Sequence, residues 1–125
     1  MATTVGRNGR AQSTVVTTGC VDDKVAWISR GRTVKVNNIE RTGRATVTVI
    51  KLDTRRYVTI EGPAVVYEWS DTDAAAQVKR LKDVYTAMGR APKESDEAFG
   101  ARMAEEKRAV IEVTPDRWYG SLTVR

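Results

Sequence analysis

The sequence predicts a small, mainly β domain, an antiparallel barrel carrying helical additions. Runs rich in β-branched residues recur at 11–18, 45–52, 57–69 and 108–114, a composition that suits a pleated, half-buried surface. A helical period is confined to one late stretch, about residues 71–107. Turn signals punctuate the chain between the runs. The 125 residues make one domain, 1–125, with a helical insertion near 71–107.

Each element follows from local chemistry. Asn8-Gly9 is a strong hairpin signal, because both turn positions favour positive φ, so strands flank it. The segment 11–18 is strand-like, Asp22-Asp23 turns the chain, and 24–29 is the next strand. A basic turn feeds a short helix containing Val34 and Ile39, which ends at Gly43. After strand 45–52, Asp53-Thr54-Arg55 turns the chain into a long strand over 57–69, bent at Gly62-Pro63. Ala74, Val78, Leu81, Tyr85 and Met88 then form one apolar stripe, with Ser70-x-x-Asp73 as its cap and Gly89 as its end. A second helix starts at Ser95-Asp96-Glu97, stacks Phe99 on Met103 and closes with Lys107-Arg108. Strand 108–114, a break at Pro115-Asp116 and a last strand over 118–124 complete the chain. The sum is five or six strands, one short crossover helix and a late helical pair.

Charge is concentrated rather than spread. Between Lys24 and Arg56 there are nine basic and two acidic residues, a local +7, whereas the remainder, with 12 basic and 14 acidic, carries −2. A focused positive region marks a polyanionic partner. Histidine is absent, which removes Ser/His/Asp and Cys/His nucleophiles, His-rich zinc sites and histidine-ligated haem. What remains is a binding module, or an enzyme whose cofactor carries the reaction. The single cysteine, Cys20, rules out an internal disulfide and suits a reducing compartment. No run approaches the ~20 apolar residues of a membrane helix, and Met1-Ala2-Thr3-Thr4 lacks a signal-peptide pattern, so a cytoplasmic protein without a membrane partner is expected.

The stretch Ser29-Arg30-Gly31-Arg32-Thr33-Val34-Lys35-Val36-Asn37-Asn38-Ile39 reads as an anion site. Gly31 lets backbone amides approach, Ser29 offers a hydroxyl, Arg30 and Arg32 add charge, and Lys35 and Asn38 lie three apart on one helix face near its positive end. The bland alternative is a solvated basic loop. Trp27, Tyr57, Trp69, Trp118 and Tyr119 are candidate stacking platforms, as in nucleic-acid-binding barrels, although Trp69 and Tyr85 neighbour helical-core positions. A single Arg-Gly-Arg is weak support for nucleic acid.

The same stretch resembles the pyridoxamine 5′-phosphate oxidase-like superfamily of split β-barrels, within it the actinobacterial oxidoreductases that use coenzyme F420. Ser29, Val34, Lys35, Asn38 and Ile39 match that group's motif, while Thr33 and Asn37 stand where basic residues are usual. Gly9-Arg10-Ala11-Gln12, Glu61-Gly62-Pro63-Ala64 and Trp118-Tyr119-Gly120 are similar to its hairpin turn, strand bend and closing strand, in the same order. The family commonly opens with an amphipathic helix, whereas Met1 here leads almost directly into the first strand.

The resemblance implies a six-stranded antiparallel split β-barrel, FMN-binding-like and homodimeric, with two pockets at the subunit interface. Coenzyme F420 is the implied cofactor and FMN the alternative. Its phosphate would meet Ser29, Arg32 and Lys35, with Arg30 and Asn38 as further cofactor-binding residues, and its ring would lie against Gln12, Ser13, Thr14 and Trp27. Arg55, Arg56, Tyr57 and Trp118 would reach the same pocket, across the interface if necessary. The implied reaction is hydride transfer to a small conjugated acceptor such as a quinone, a tetrapyrrole or an unsaturated lactone, with no protein nucleophile. The competing readings are a nucleic-acid-binding barrel without activity and a cofactor carrier without turnover.

Overall fold

A computed structural model describes residues 1–31 and 33–121. The element order is β1 (Ala2–Val5), β2 (Ala11–Thr14), β3 (Gly19–Val21), β4 (Lys24–Arg30), α1 (Val34–Thr42), β5 (Arg44–Lys51), β6 (Arg56–Tyr67), α2 (Ala74–Ala87), α3 (Asp96–Glu105), β7 (Arg108–Val113) and β8 (Arg117–Ser121). All pairings are antiparallel. The strands run in the order β2-β1-β5-β6-β7-β4-β3, with β8 added on β6. The mainly β class with helical additions therefore holds, as an open sheet of eight strands among the described residues.

The extra strands come from the segment after the Asn8-Gly9 hairpin. Only Ala11–Thr14 pairs with β1, and Gly19–Val21 instead pairs with β4 through a tight turn. Asp22 and Asp23 both take positive φ, 50° and 62°, the conformation of a type I′ hairpin and one that aspartate tolerates better than most residues. The last strand is described to Ser121; the expected continuation to 124 lies outside the described residues.

β6 organises the sheet. It pairs with β5 from Arg56 to Pro63, and on its other side with β8 from Tyr57 to Glu61 and with β7 from Ala64 to Tyr67. The switch falls at the predicted Gly62-Pro63 bend. A Cβ on Gly62 would collide with the Thr114 carbonyl, so only glycine lets the end of β7 come this close.

Two cores flank the sheet. Trp27, Val36, Ile39, Val47, Ile111 and Val113 fill the space under α1. Ala26, Leu81, Val84, Phe99, Met103 and Val110 join α2 and α3 to the opposite face. Strands β4 and β7 feed both cores by alternation, so they read as nearly continuous apolar runs. Trp27 is fully buried. It is a core residue and not a stacking platform, because it alternates inward onto Val36 and Ile39.

The helices follow their signals with three corrections. The cap of α2 is Asp73, whose carboxylate accepts from Ala76 N at 2.9 Å. Its buried face is Gln77, Leu81 and Val84, with Val78, Tyr85 and Met88 half-buried and Ala74 exposed. Gln77 hides in the apolar stripe because its side-chain amide donates to the Tyr67 carbonyl at 2.8 Å, satisfying a buried acceptor. For α3, Lys107 does not close the helix. It turns the chain at φ 53° so that Arg108 begins β7. No helix among the described residues is long and apolar enough to cross a membrane.

Candidate functional site

β3 pairs with only Lys24–Ala26 of β4. Alongside the remaining length of β4, a cavity of about 460 Å³ opens between the segment Thr14–Thr17, the first turn of α1, the C-terminal end of α2 and the start of β7. It collects Ser29, Arg30 and Lys35 from the predicted basic turn. The predicted Arg32 lies outside the described residues.

The α1 side of this cavity is built by Thr33. As N-cap it takes extended backbone angles, and its hydroxyl accepts from Val36 N at 3.4 Å. The first turn of α1 contains no acidic residue, so no carboxylate of that turn offsets the partial positive charge of the helix end. Ser29 is 3 % exposed, its hydroxyl 3.5 Å from that of Thr33 and 3.3 Å from the Arg30 carbonyl. The Gly31 amide is not free to approach an anion, since it donates to the Lys107 carbonyl at 2.8 Å. That bond fixes the turn instead, and side chains supply the donors.

The other side comes from residues that sequence reasoning missed. Tyr85, Met88, Arg90 and Arg108 line the cavity. Arg90 is set by the turn after α2, where its N–H donates to the Tyr85 carbonyl at 2.8 Å. Arg108 stands opposite Arg30 in the β4–β7 register, which places two guanidinium stems on one face of the sheet. Like charges directly opposite each other destabilise a strand pair. Arg108 reaches Glu106 at 3.5 Å. Among the described residues, Arg30, Lys35 and Arg90 have no ion-pair partner, and no carboxylate lines the cavity.

The remaining predicted residues do not join this cluster within one chain. Asn38 is 7 % exposed and its side chain is committed to the sheet side, donating to the Thr4 hydroxyl at 3.0 Å and accepting from Arg41 at 3.3 Å. It ties α1 to β1, because the face it occupies packs on the sheet. Gln12 belongs to the same network, holding the Thr4 and Thr14 hydroxyls, and lines a separate shallow pocket at the β1–β2 hairpin with Arg7 and Arg10. Ser13 points outward, 2.8 Å from the Thr3 hydroxyl. Of the expected stretch Gln12 to Thr14, Thr14 alone lines the cavity, where Val15 and Val16 continue it.

Arg55, Arg56 and Tyr57 lie at the β5–β6 hairpin and Trp118 on β8; none of them lines the cavity. They belong to an apolar end of the sheet where Val49, Ile50, Leu52, Tyr57, Trp118 and Tyr119 are exposed, Trp118 to 67 %. Any contribution to the cavity by these four residues requires a second chain.

No curated protein matches the sequence. Solved structures do share the fold. The chain is similar to the conserved hypothetical protein Rv2991 from Mycobacterium tuberculosis, with 18 % identity, a TM-score of 0.70, and coverage of 96 % of this chain and 74 % of that one. It is similar to an F420 reductase at 18 % identity and a TM-score of 0.65, covering 94 % and 86 %. It is also similar to a pyridoxamine 5′-phosphate oxidase-related, FMN-binding protein from Nostoc punctiforme, at 16 % identity and a TM-score of 0.59, covering 94 % and 71 %. A family model described as pyridoxamine 5′-phosphate oxidase matches residues 1–121, and the chain belongs to that family.

Proposed function

We propose that this protein is an F420-dependent oxidoreductase that moves a hydride between the deazaflavin and a small conjugated organic acceptor, with FMN as the alternative cofactor. The observation that carries this reading is the cavity itself: Lys35, Arg30 and Arg90, without ion partners among the described residues, converge with Ser29 and the end of α1, whose first turn has no acidic residue. Hydroxyls, an unpaired lysine and a helix N-terminus are the donor set that suits a phosphate. F420 ranks ahead of FMN because the cluster exceeds what one phosphate needs, and an F420 tail carries a phosphodiester and carboxylates.

A bound deazaflavin or flavin ring supplies the redox chemistry, transfer of a hydride to an acceptor stacked on it. The chain's residues position and shield. Lys35, Ser29 and Thr33 would anchor the phosphate, while Ile28, Val15, Val16, Tyr85 and Met88 give the cavity apolar and soft surfaces. No side chain has to act as nucleophile or relay a proton, so the lack of histidine is no obstacle.

The reading includes a homodimer joined through the apolar end of the sheet, which would bring Arg55, Arg56, Tyr57 and Trp118 of one chain toward the cavity of the other. Exposed aromatic and aliphatic side chains grouped at one sheet end are the support. Titrating the purified protein with F420 and with FMN, followed by ring fluorescence, tests the cofactor. Tighter FMN binding reverses the ranking, and no binding of either removes the reading.

A further inference from the structure

The two walls of the basic cavity have separate origins. One is α1 with the turn before it, carrying Ser29, Thr33 and Lys35. The other belongs to the helical insertion, which delivers Arg90 as it leaves α2 and Arg108 as it returns to the sheet. The first wall already meets the needs of one phosphate. The second adds two guanidinium groups, and one of them stands directly across from Arg30.

Arg108 is the under-satisfied member. Its Nε is buried without a hydrogen-bond partner, a costly state for a charged donor. Its acceptor among the described residues is Glu106 at 3.5 Å, longer than a charge-assisted bond prefers. Glu106 is itself shared with Arg102 at 3.8 Å, while Arg102 is committed to Glu94 at 2.6 Å. Glu106 therefore holds Arg108 loosely and has a second cation beside it.

Resting on the cofactor reading above, we propose that Arg90 and Arg108 form a second anion subsite on the insertion wall. It takes a further oxyanion, a carboxylate or phosphodiester on a flexible tail, apart from the phosphate held at Ser29, Thr33 and Lys35. Glu106 tunes this subsite by competing with the ligand for Arg108. The incoming oxyanion replaces Glu106 at the guanidinium, relieves the Arg30–Arg108 repulsion, and leaves Glu106 to Arg102. The ligand class is thus an organic polyanion, and the insertion is what separates a tailed cofactor from one with a single phosphate.

Fluorescence titrations with F420 and FMN on the wild type and the variants R90Q, R108Q, E106Q and K35A test this. R90Q and R108Q should weaken F420 by about tenfold or more, the loss of one charged hydrogen bond, and leave FMN within about twofold. K35A should weaken both ligands, and E106Q should tighten F420 while leaving FMN unchanged. If R90Q lowers the melting temperature but shifts the two ligands equally, Arg90 serves only the end of α2 and the subsite falls. An unchanged or weaker F420 affinity in E106Q overturns the competition. Failure of the wild type to bind either cofactor removes the parent reading instead. The subsite is then decided by the melting-temperature gain from tripolyphosphate over orthophosphate at constant ionic strength, which R90Q should abolish and E106Q should enlarge; equal gains in all variants refute it.

Discussion

The basic cavity beside α1 and the apolar sheet end around β8 contrast in what each surface is missing. The cavity gathers cations with no carboxylate among its described lining residues, at the junction of α1, α2, β4 and β7. The sheet end exposes Tyr57, Trp118 and Tyr119 on strands whose other residues are well paired. The first surface is short of counter-charge, Glu106 at Arg108 being its one ion pair among the described residues, and the second lacks cover. A small anionic ligand answers one, and only a second macromolecular surface answers the other. A charged cavity can therefore be emptied with little effect on the fold, whereas apolar side chains reveal their role by whether they face the core or the solvent.

Trp27→Ala should produce the largest effect, because it opens a cavity between Val36, Ile39 and Ile111. A loss of about 3–5 kcal/mol is expected, read from urea unfolding. A loss below about 1 kcal/mol, inside the range of surface substitutions, would contradict the core placement. Lys35→Ala comes next, with about 1.5–3 kcal/mol lost from cofactor affinity. The melting temperature of the ligand-free protein should not change, and a coupled drop in both would mean that Lys35 supports α1 rather than a ligand.

Trp118→Ser acts on the other surface. Sedimentation at low micromolar concentration should show the wild type as a dimer and this variant shifted toward monomer, with cofactor binding weakened in parallel. A wild-type monomer that binds cofactor fully would separate the two surfaces for good.

The smallest effect concerns Asp116, which accepts from Arg44 at 2.9 Å and pins the turn before β8 to β5. The hydrogen bond from Arg44 holds its carboxyl below the ordinary 3.8. A lowered folded-state value means that the contribution is present above the unfolded value and fades as pH falls through the folded one. The melting temperatures of wild type and Asp116→Asn should differ slightly at neutral pH and converge under acid conditions below 3.8; a difference that persists there would assign it to packing.

What was legible in the sequence was local. Gly43, Asp73 and the Gly62 bend signal their structures through backbone chemistry that neighbours dictate, and the Ser29–Lys35 turn announces a positive site by composition. The hairpin expected at Asn8-Gly9 forms, but through a longer loop over residues 6–10 in which only Gly9, not Asn8, takes positive φ. The opposition of Arg30 and Arg108 was hidden, because it depends on a register across 78 positions. Arg90 lay outside the basic window and looked like a surface residue after a helix. Trp27 and Asn38 were misread for one reason: alternation and helix phase decide which way a side chain turns, and the partner that sets the inward direction is remote in sequence. The four residues at the sheet end were grouped with the cavity by resemblance, and their place on β5, β6 and β8 separates them from it within one chain.

The double pairing of β6 also sets the order in which the molecule comes apart. Between Tyr57 and Glu61 this strand is hydrogen-bonded to β5 on one flank and β8 on the other, while β2 and β3 end the sheet. Amide deuteration should reach the short outer strands first and the middle of β6 last, at a rate approaching that of global unfolding. The cavity draws part of its wall from Thr14–Thr17 and the ends of helices, which exchange early, and part from β4 and β7, so a ligand there would slow deuteration most at Thr14–Thr17 and the helix ends and leave the centre of β6 unchanged.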